Sequence, residues 1–358
     1  MPRLVAPASI DCMPRGFLIA FNTIIAFALV EGAARLAEWV HPQGDSLRFA
    51  YSPYRMLKMS QAPFALNRDG FRAGELEIYR DSFLVEFLGG SVCVGIGENV
   101  GETLPERLQD ALRAAGMVRA RVLNLCQGGA TSAQELAILT EYGLPLHPQA
   151  VLSFDGANDV FHPRPIGDDD APNLPYENVQ LEARANGQDG WSHLAALRVG
   201  ARIVEHLRVP SPSAGAPVPL AEILESYFYH LGLARTLVEA QGGFYAVLLQ
   251  PTLHLDKPWS SDETAMWKRR RPTDAESLSR VAHERYSTTR EAAIRWSEST
   301  GTELYDLTDA FDAAQESIYS DSVHFRGSRA YEVLGLELEH KGLTGRLQAR
   351  YREWEAGL

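Results

Sequence analysis

The chain predicts an α/β fold, a three-layer α/β/α sandwich around a parallel sheet of about five strands, preceded by an N-terminal membrane helix. Three observations carry this. From Phe83 onward, short apolar runs alternate with longer stretches whose apolar residues recur every three or four positions, the order that builds a parallel sheet covered on both faces. The 358 residues are 45% hydrophobic and 22% charged, enough for a large core and unlike a disordered or collagenous chain. One uncharged apolar run stands near the N-terminus.

That run, Gly16 to Val30, has fifteen residues, follows Arg3 and Arg15, and ends at Glu31. Helical, it spans about 22 Å, so crossing a hydrocarbon core of roughly 30 Å requires the helix to continue to Trp39 while Glu31 and Arg35 snorkel. An uncleaved anchor over residues 1–40 is the favoured reading. The alternatives are a signal peptide cleaved near Ala26-Phe27-Ala28 and a soluble helix. The flanking arginines orient an anchor with its N-terminus inside and its body outside the bacterial cytoplasmic membrane, in the periplasm; a cleaved chain is secreted. Residues 41–80 read as a connector, broken by Pro53, Pro63 and Gly70.

Within an α/β domain at 81–345, the expected strands are Phe83–Leu88, Arg121–Leu125, Ala150–Phe154, Phe244–Leu249 and Glu303–Leu307. The expected helices are Thr103–Ala115, Ser132–Tyr142, Leu220–Gln241, Ser277–Ser299 and Ser328–Glu339. A Pro-, Gly- and Asp-rich stretch at 163–219 reads as an insertion on the ligand side, and 346–358 as a C-terminal tail. The acidic run Asp168–Asp170 reads as a solvated turn, and Lys268–Arg271 as a solvated helix start. Cys12, Cys93 and Cys126 are too few for a disulfide scaffold; a Cys93–Cys126 bridge is one option, two buried free thiols the favoured one. No zinc-ligand spacing is present, and neither metal nor organic cofactor is expected. With 34 basic against 46 acidic residues, the net charge of −12 repels phosphate backbones, so nucleic acid is not expected as a partner.

In an open parallel sheet, ligands bind outside the carboxyl ends of the strands. There the chain carries Gly89-Gly90-Ser91, then Gln127-Gly128-Gly129, then Asp155-Gly156-Ala157-Asn158-Asp159, and late in the sequence Asp321-Ser322-Val323-His324. Each segment alone is weak, since glycine-rich turns follow many strands. In order they supply a nucleophile, backbone and amide donors, and a base with an acidic partner three residues away. A serine hydroxyl needs a base to take its proton, and that base needs a third group to hold its tautomer. Asp159 is expected to hold its loop by hydrogen bonds. His254 and Lys257, after the fourth strand, are candidates for the pocket.

These segments resemble the four blocks of the SGNH (GDSL-type) hydrolases: Ser91, Gly129 in N-L-C-Q-G-G-A-T-S, Asn158 in G-A-N-D, and His324 in D-S-V-H-F. The resemblance runs from about Asn67 to Leu338, and N-R-D-G-F-R at Asn67–Arg72 is similar to a lead-in of membrane-anchored bacterial members. It implies the SGNH or flavodoxin-like sheet, with Ser91 as nucleophile, His324 as base and Asp321 as its partner. The oxyanion hole it implies comprises the amides of Ser91 and Gly129, Gly128 being the alternative, with the Asn158 side chain. The implied reaction is hydrolysis of a carboxylic ester, on a small molecule or an O-acetylated glycan, through acyl-Ser91. O-acyl transfer at the same site, or a non-catalytic envelope scaffold, are the alternatives. Two positions depart from the pattern: Gly90 stands where an Asp often precedes the nucleophile, and Cys126 where Gly is common.

Overall fold

The computed structural model describes residues 15–40, 48–52, 55–96, 99, 101–161, 195–196, 218–255 and 257–358. The insertion expected at 163–219 and the Asp168–Asp170 run lie outside the described residues, save for positions 195, 196, 218 and 219.

The chain divides into two units. The first, residues 1–44 with 181–211, contains helix α1 (Arg15–Val40). It is 26 residues long, which at 1.5 Å per residue is roughly 39 Å. Its Ile19–Leu36 segment has mean hydropathy 1.5 and is long and apolar enough to cross a membrane. Within this segment Glu31 is paired to Arg35 at 2.9 Å, and its carboxylate accepts hydrogen bonds from the Ala195 and Ala196 amides.

The second unit holds the α/β domain. A hairpin comes first, β1 (Arg48–Ser52) antiparallel to β2 (Met56–Gln61), so part of the expected connector is a sheet. Five parallel strands follow: β3 (Phe83–Gly89), β4 (Ala120–Asn124), β5 (Ala150–Asp155), β6 (Phe244–Leu249) and β7 (Glu303–Asp306), in spatial order β4-β3-β5-β6-β7. Their boundaries lie within one residue of the expected ones at each end. The central strands read as near-continuous apolar runs because helices cover both faces.

Phe83, Val85 and Phe87 of β3 face one layer, packed with Leu104, Leu108 and Leu112 of α3 (Leu104–Ala114). Leu84 and Leu88 face the other, against Ile138 at the end of α4 (Ser132–Ile138) and Leu231 and Val238 of α6 (Leu220–Ala240). Each such side chain, fully buried, stabilises the fold by roughly 1.5–3 kcal/mol. Thr103 with Glu106, and Thr131 with Gln134, close capping boxes that start α3 and α4 directly after their loops.

Two short helices, α2 (Ser91–Val94) and α5 (Ala157–Phe161), leave the ends of β3 and β5. The C-terminal half adds α7 (Ser261–Arg270), α8 (Ala275–Thr300), α9 (Arg329–His340) and α10 (Leu343–Ala356). Three expectations are corrected here. The stretch 346–358 is no tail: Leu347 and Tyr351 of α10 are buried in the core beside Phe83, because the helix carries an apolar stripe. Lys268-Arg269-Arg270 end α7 and do not start a helix, which suits the negative C-terminal end of the dipole. Cys93 and Cys126 are joined in a disulfide, their Cα atoms 5.7 Å apart, since the turn after β3 and the loop after β4 converge. The favoured free-thiol reading therefore fails.

Glu86 is the exception in the β3 core. It is fully buried between Leu84 and Leu88, neither carboxyl oxygen has a hydrogen-bond partner among the described residues, and burial raises its pKa to about 8. A Cβ at Gly143 would sit 2.4 Å from Glu86 Oε2, so Gly143, closing a π-helical turn (Leu139–Gly143), leaves room for the carboxyl.

Candidate active site

The sheet order places β3 beside both β4 and β5, so the chain reverses its direction of winding at β3 and opens a crevice at the carboxyl ends of these strands. Ser91 follows β3 there and is the first residue of α2. Gly89 enables the turn. Its φ is +154°, and a Cβ on it would meet Phe154 O at 2.4 Å and Cys93 Cβ at 2.7 Å. As the first residue of a helix, Ser91 has an amide with no acceptor inside that helix. Two buried groups hold α2 from outside. Tyr331 Oη donates to Val92 O (2.8 Å), and the Arg72 guanidinium donates to Gly95 O (2.6 Å) and Asn99 O (2.7 Å). Arg72 is thus the functional end of the Asn67–Arg72 motif, within which Asn67 Oδ1 accepts from the Asp69 and Phe71 amides.

Ser91 Oγ and His324 Nε2 are 2.7 Å apart, and His324 Nδ1 is 2.8 Å from Asp321 Oδ2. The 321–324 segment delivers both groups because Asp321 Oδ1 accepts from the Val323 (2.9 Å) and His324 (2.8 Å) amides, which folds it into a tight turn. Burial works to raise the Asp321 pKa; the hydrogen bonds from the His324 ring, the His324 amide and the Val323 amide outweigh it and bring the group to about 2. An ionised carboxylate only accepts, so His324 carries its proton on Nδ1 and turns the Nε2 lone pair to Ser91.

The loop is pinned from below. Ser320 N donates to His324 O (2.8 Å), Leu253 N to Ser322 O (3.0 Å), and the Ile318 and Tyr319 amides to Glu263 Oε1 (2.8 and 2.9 Å). Glu263 Oε2 in turn accepts from Lys257 Nζ (2.7 Å) and the Ser260 amide (2.9 Å). Lys257 is therefore not in the pocket: it is buried in an ion pair with Glu263. Sequence reasoning missed Glu263, although Ser260-Ser261-Asp262-Glu263 is a readable capping box. Arg270 was also missed as an individual residue; its Nη1 lies 3.7 Å from Asp321 Oδ2.

The expected donors lie next to Gly90. Gly129 has a left-handed backbone (φ +74°), and the amides of Gly128 and Gly129 find no protein acceptor among the described residues. Asn158 Nδ2 donates to Ala130 O at 2.7 Å, which fixes the amide beside the Gly128-Gly129 turn. The glycine at 90 has a steric reason: a Cβ there would lie 2.3 Å from Asn158 Nδ2. Asp159 reaches α4, accepting from Ser132 Oγ (2.6 Å) and the Ser132 amide (3.1 Å). Burial, then the neighbouring Asp155 charge, raise its pKa to about 7 against the hydrogen bonds from Ser132. Beside it burial, then the Asp155 charge, push the Glu135 carboxyl well above the usual carboxylate range, while Tyr227 Oη donates to Asp155 Oδ1.

His254 packs edge-on against Trp267 (4.6 Å between ring centroids) and Trp259 (5.5 Å), with Nδ1 3.3 Å from Ser279 Oγ. Burial first, and His283 second, lower its pKa to about 4. It lines a cavity and not the serine–histidine contact. Among the described residues no group of three or more His, Cys, Asp or Glu side chains is placed to hold a metal ion.

No protein-family model matches the chain, and no curated protein does. Among solved structures it is similar to an acetyl xylan esterase, with 14% identity over 72% of this chain and 98% of that one and a TM-score of 0.41. It is similar also to a lipase/acylhydrolase from Enterococcus faecalis (16% identity, 74% and 95% covered, TM-score 0.40). A GDSL-like lipase from Bacteroides thetaiotaomicron VPI-5482 is a third (14% identity, 72% and 87% covered, TM-score 0.36). At such identities the functional reading rests on the geometry of this chain's own residues.

Proposed function

We propose that the protein is an SGNH-type serine esterase that hydrolyses a carboxylic ester, an O-acetylated carbohydrate being the substrate class, through an acyl-Ser91 intermediate. The observation that carries the reading is the unbroken chain Ser91 Oγ, His324 Nε2, His324 Nδ1, Asp321 Oδ2 at 2.7 and 2.8 Å.

Ser91 Oγ attacks the ester carbonyl carbon as His324 Nε2 takes the hydroxyl proton, and the Asp321 carboxylate stabilises the imidazolium that forms. The carbonyl oxygen, now an oxyanion, is met by the Ser91 and Gly129 amides and the Asn158 side-chain amide. A donor aimed at that atom lowers the barrier by about 2.7–4 kcal/mol. The intermediate collapses by breaking the bond to the alcohol oxygen, which leaves with the proton from His324. Water then adds to the acyl-enzyme, giving its proton to His324. The second collapse breaks the Ser91 Oγ–acyl bond, returns that proton to Oγ and releases the carboxylic acid.

An address outside the cytoplasmic membrane is part of the proposal. It is supported by the apolar run of α1, preceded by Arg3 and Arg15, and by the Cys93–Cys126 bridge, since structural disulfides persist in oxidising compartments.

The test is intact-mass labelling of the full chain in detergent with a fluorophosphonate, beside Ser91→Ala and His324→Ala. One stoichiometric adduct is expected on the wild type, none on Ser91→Ala, and much slower labelling of His324→Ala. Equal labelling of the three, or none of a folded wild type, would remove Ser91 as an activated nucleophile.

A further inference from the structure

A cavity of about 450 Å³ lies among α7, α8 and the loop after β6, walled by His254, Trp259, Trp267 and Ser279 and rimmed by Lys268 and Arg280. A second, of about 300 Å³, shares His254 and Trp267 and runs on to Phe161, Arg271, Arg285 and Ser322. Ser322 stands between Asp321 and His324, and Phe161 ends the helix that carries Asn158. The two cavities thus share the His254 and Trp267 side chains, the smaller one reaches the 321–324 loop and the end of the helix that carries Asn158, and their volumes suit small-molecule sites.

Its chemistry is two-sided. The indole N–H groups are already used, Trp259 Nε1 on Leu253 O (2.7 Å) and Trp267 Nε1 on Ala275 O (2.8 Å), so both tryptophans offer carbon surface to the space. His254, at about 4, is neutral and adds a third ring. Around these rings stand Lys268, Arg271 and Arg280, none of which pairs with a carboxylate among the described residues, and Arg285, which donates to Val160 O (3.1 Å). Among the described residues on the walls Glu276 is the one acid. Four of the 34 basic residues of a protein of net charge −12 line these two aromatic cavities. Guanidinium and ammonium groups over aromatic rings favour a ligand that has an anionic group and a ring with an apolar face.

We propose that this cavity is a binding subsite for an acidic sugar unit, one bearing a carboxylate, adjacent to the ester that Ser91 attacks. The inference rests on the esterase reading for the ester, though not for recognition of the acid. Trp267 and Trp259 stack against the sugar ring while Lys268 and Arg280 pair with its carboxylate, which sets the acidic unit next to the 321–324 loop.

Two experiments on the full chain in detergent separate the claims. Titration calorimetry on Ser91→Ala, with a uronic-acid oligosaccharide as probe and a neutral glucose oligosaccharide as control, reads recognition without turnover. The uronate is expected to bind at least tenfold tighter than the control. In the Lys268→Glu/Arg280→Glu variant, altered only at the solvent rim, that preference is expected to fall about tenfold. In the otherwise wild-type enzyme the same pair lowers, by about tenfold, the ratio of kcat/KM for an O-acetylated methyl glucuronoside over the O-acetylated methyl glucoside. Equal binding of the two oligosaccharides, or a preference unmoved by reversing both charges, overturns the subsite. Selective uronate binding without fluorophosphonate labelling of Ser91 upholds the subsite and removes the esterase reading; labelling with unselective binding does the opposite.

Discussion

Gly90 offers the sharpest perturbation of the oxyanion wall. A methyl group there would stand 2.3 Å from Asn158 Nδ2, and the Asn158 side chain is the softer of the two, held by its 2.7 Å hydrogen bond to Ala130 O. Gly90→Ala therefore swings the amide away without straining its own backbone, since Gly90 already has φ −84°. The stability loss is that of one hydrogen bond, about 0.5–1.5 kcal/mol. The catalytic loss is that of one oxyanion donor, about 2.7–4 kcal/mol, or roughly 10²–10³ in kcat. Asn158→Ala removes the same donor directly. In a double-mutant cycle the two changes act on one atom, so Gly90→Ala added to Asn158→Ala is expected to have almost no further effect on kcat. The assay is ester hydrolysis under saturation, with circular dichroism and urea melts on all four proteins. Full additivity of the two losses, or a Gly90→Ala protein with wild-type kcat, would refute the reasoning.

Asp321→Asn replaces the acceptor that holds His324 in its tautomer, and is expected to lower kcat by about 10⁴ with the fold intact by circular dichroism; a loss under tenfold speaks against the triad. Lys257→Met leaves the Glu263 charge buried without its cation, so a urea melt is expected to show destabilisation by about 3–5 kcal/mol. Labelling of Ser91 slows with it, because Glu263 also fastens Ile318 and Tyr319 below the catalytic loop. Burial holds Asp155 at about 6, Asp159 at about 7 and Glu86 at about 8, all above their unfolded values. Their stabilising contributions are full below about pH 4 and are lost as pH rises toward 8, by up to about 1.4 kcal/mol per pH unit for each group. Asp321, at about 2, acts oppositely but only below pH 4. Melting temperature should then fall from pH 5 to pH 8.5, less steeply in Glu86→Gln; a rising curve, or equal slopes, contradicts the buried acids. Cys93 and Cys126 are 33 residues apart, so reducing the bridge should destabilise by about 4 kcal/mol, and non-reducing peptide mapping should recover the linked pair.

Much of the layout was legible along the chain because it depends on local pattern. Apolar runs flanked by turn residues marked the five strands, and Thr103 and Ser132 opened the first two expected helices. The order Ser91, Gly129, Asn158, His324 marked the strand ends where a parallel sheet binds its ligands. Asp321 was legible for the same reason, being three residues from His324 on one turn. The rest depends on groups far apart in sequence. Nothing near Cys93 says that the loop after β4 brings Cys126 against it, nor does anything near Glu263 say that its carboxylate will meet the amides of Ile318 and Tyr319, 55 and 56 positions on. Gly90 looked like a lost side chain until Asn158, 68 positions on, was found in the space a Cβ would fill. His254, Trp259, Trp267 and Arg280 are unremarkable in order and form one cavity only when α7 and α8 fold over the loop after β6. The sequence by itself determined the elements, their order and the residue types of the site, since periodicity and turn chemistry act over a few residues. Only the tertiary structure decided which polar groups meet and where space is left, because those are set by distances between segments that chain connectivity does not constrain.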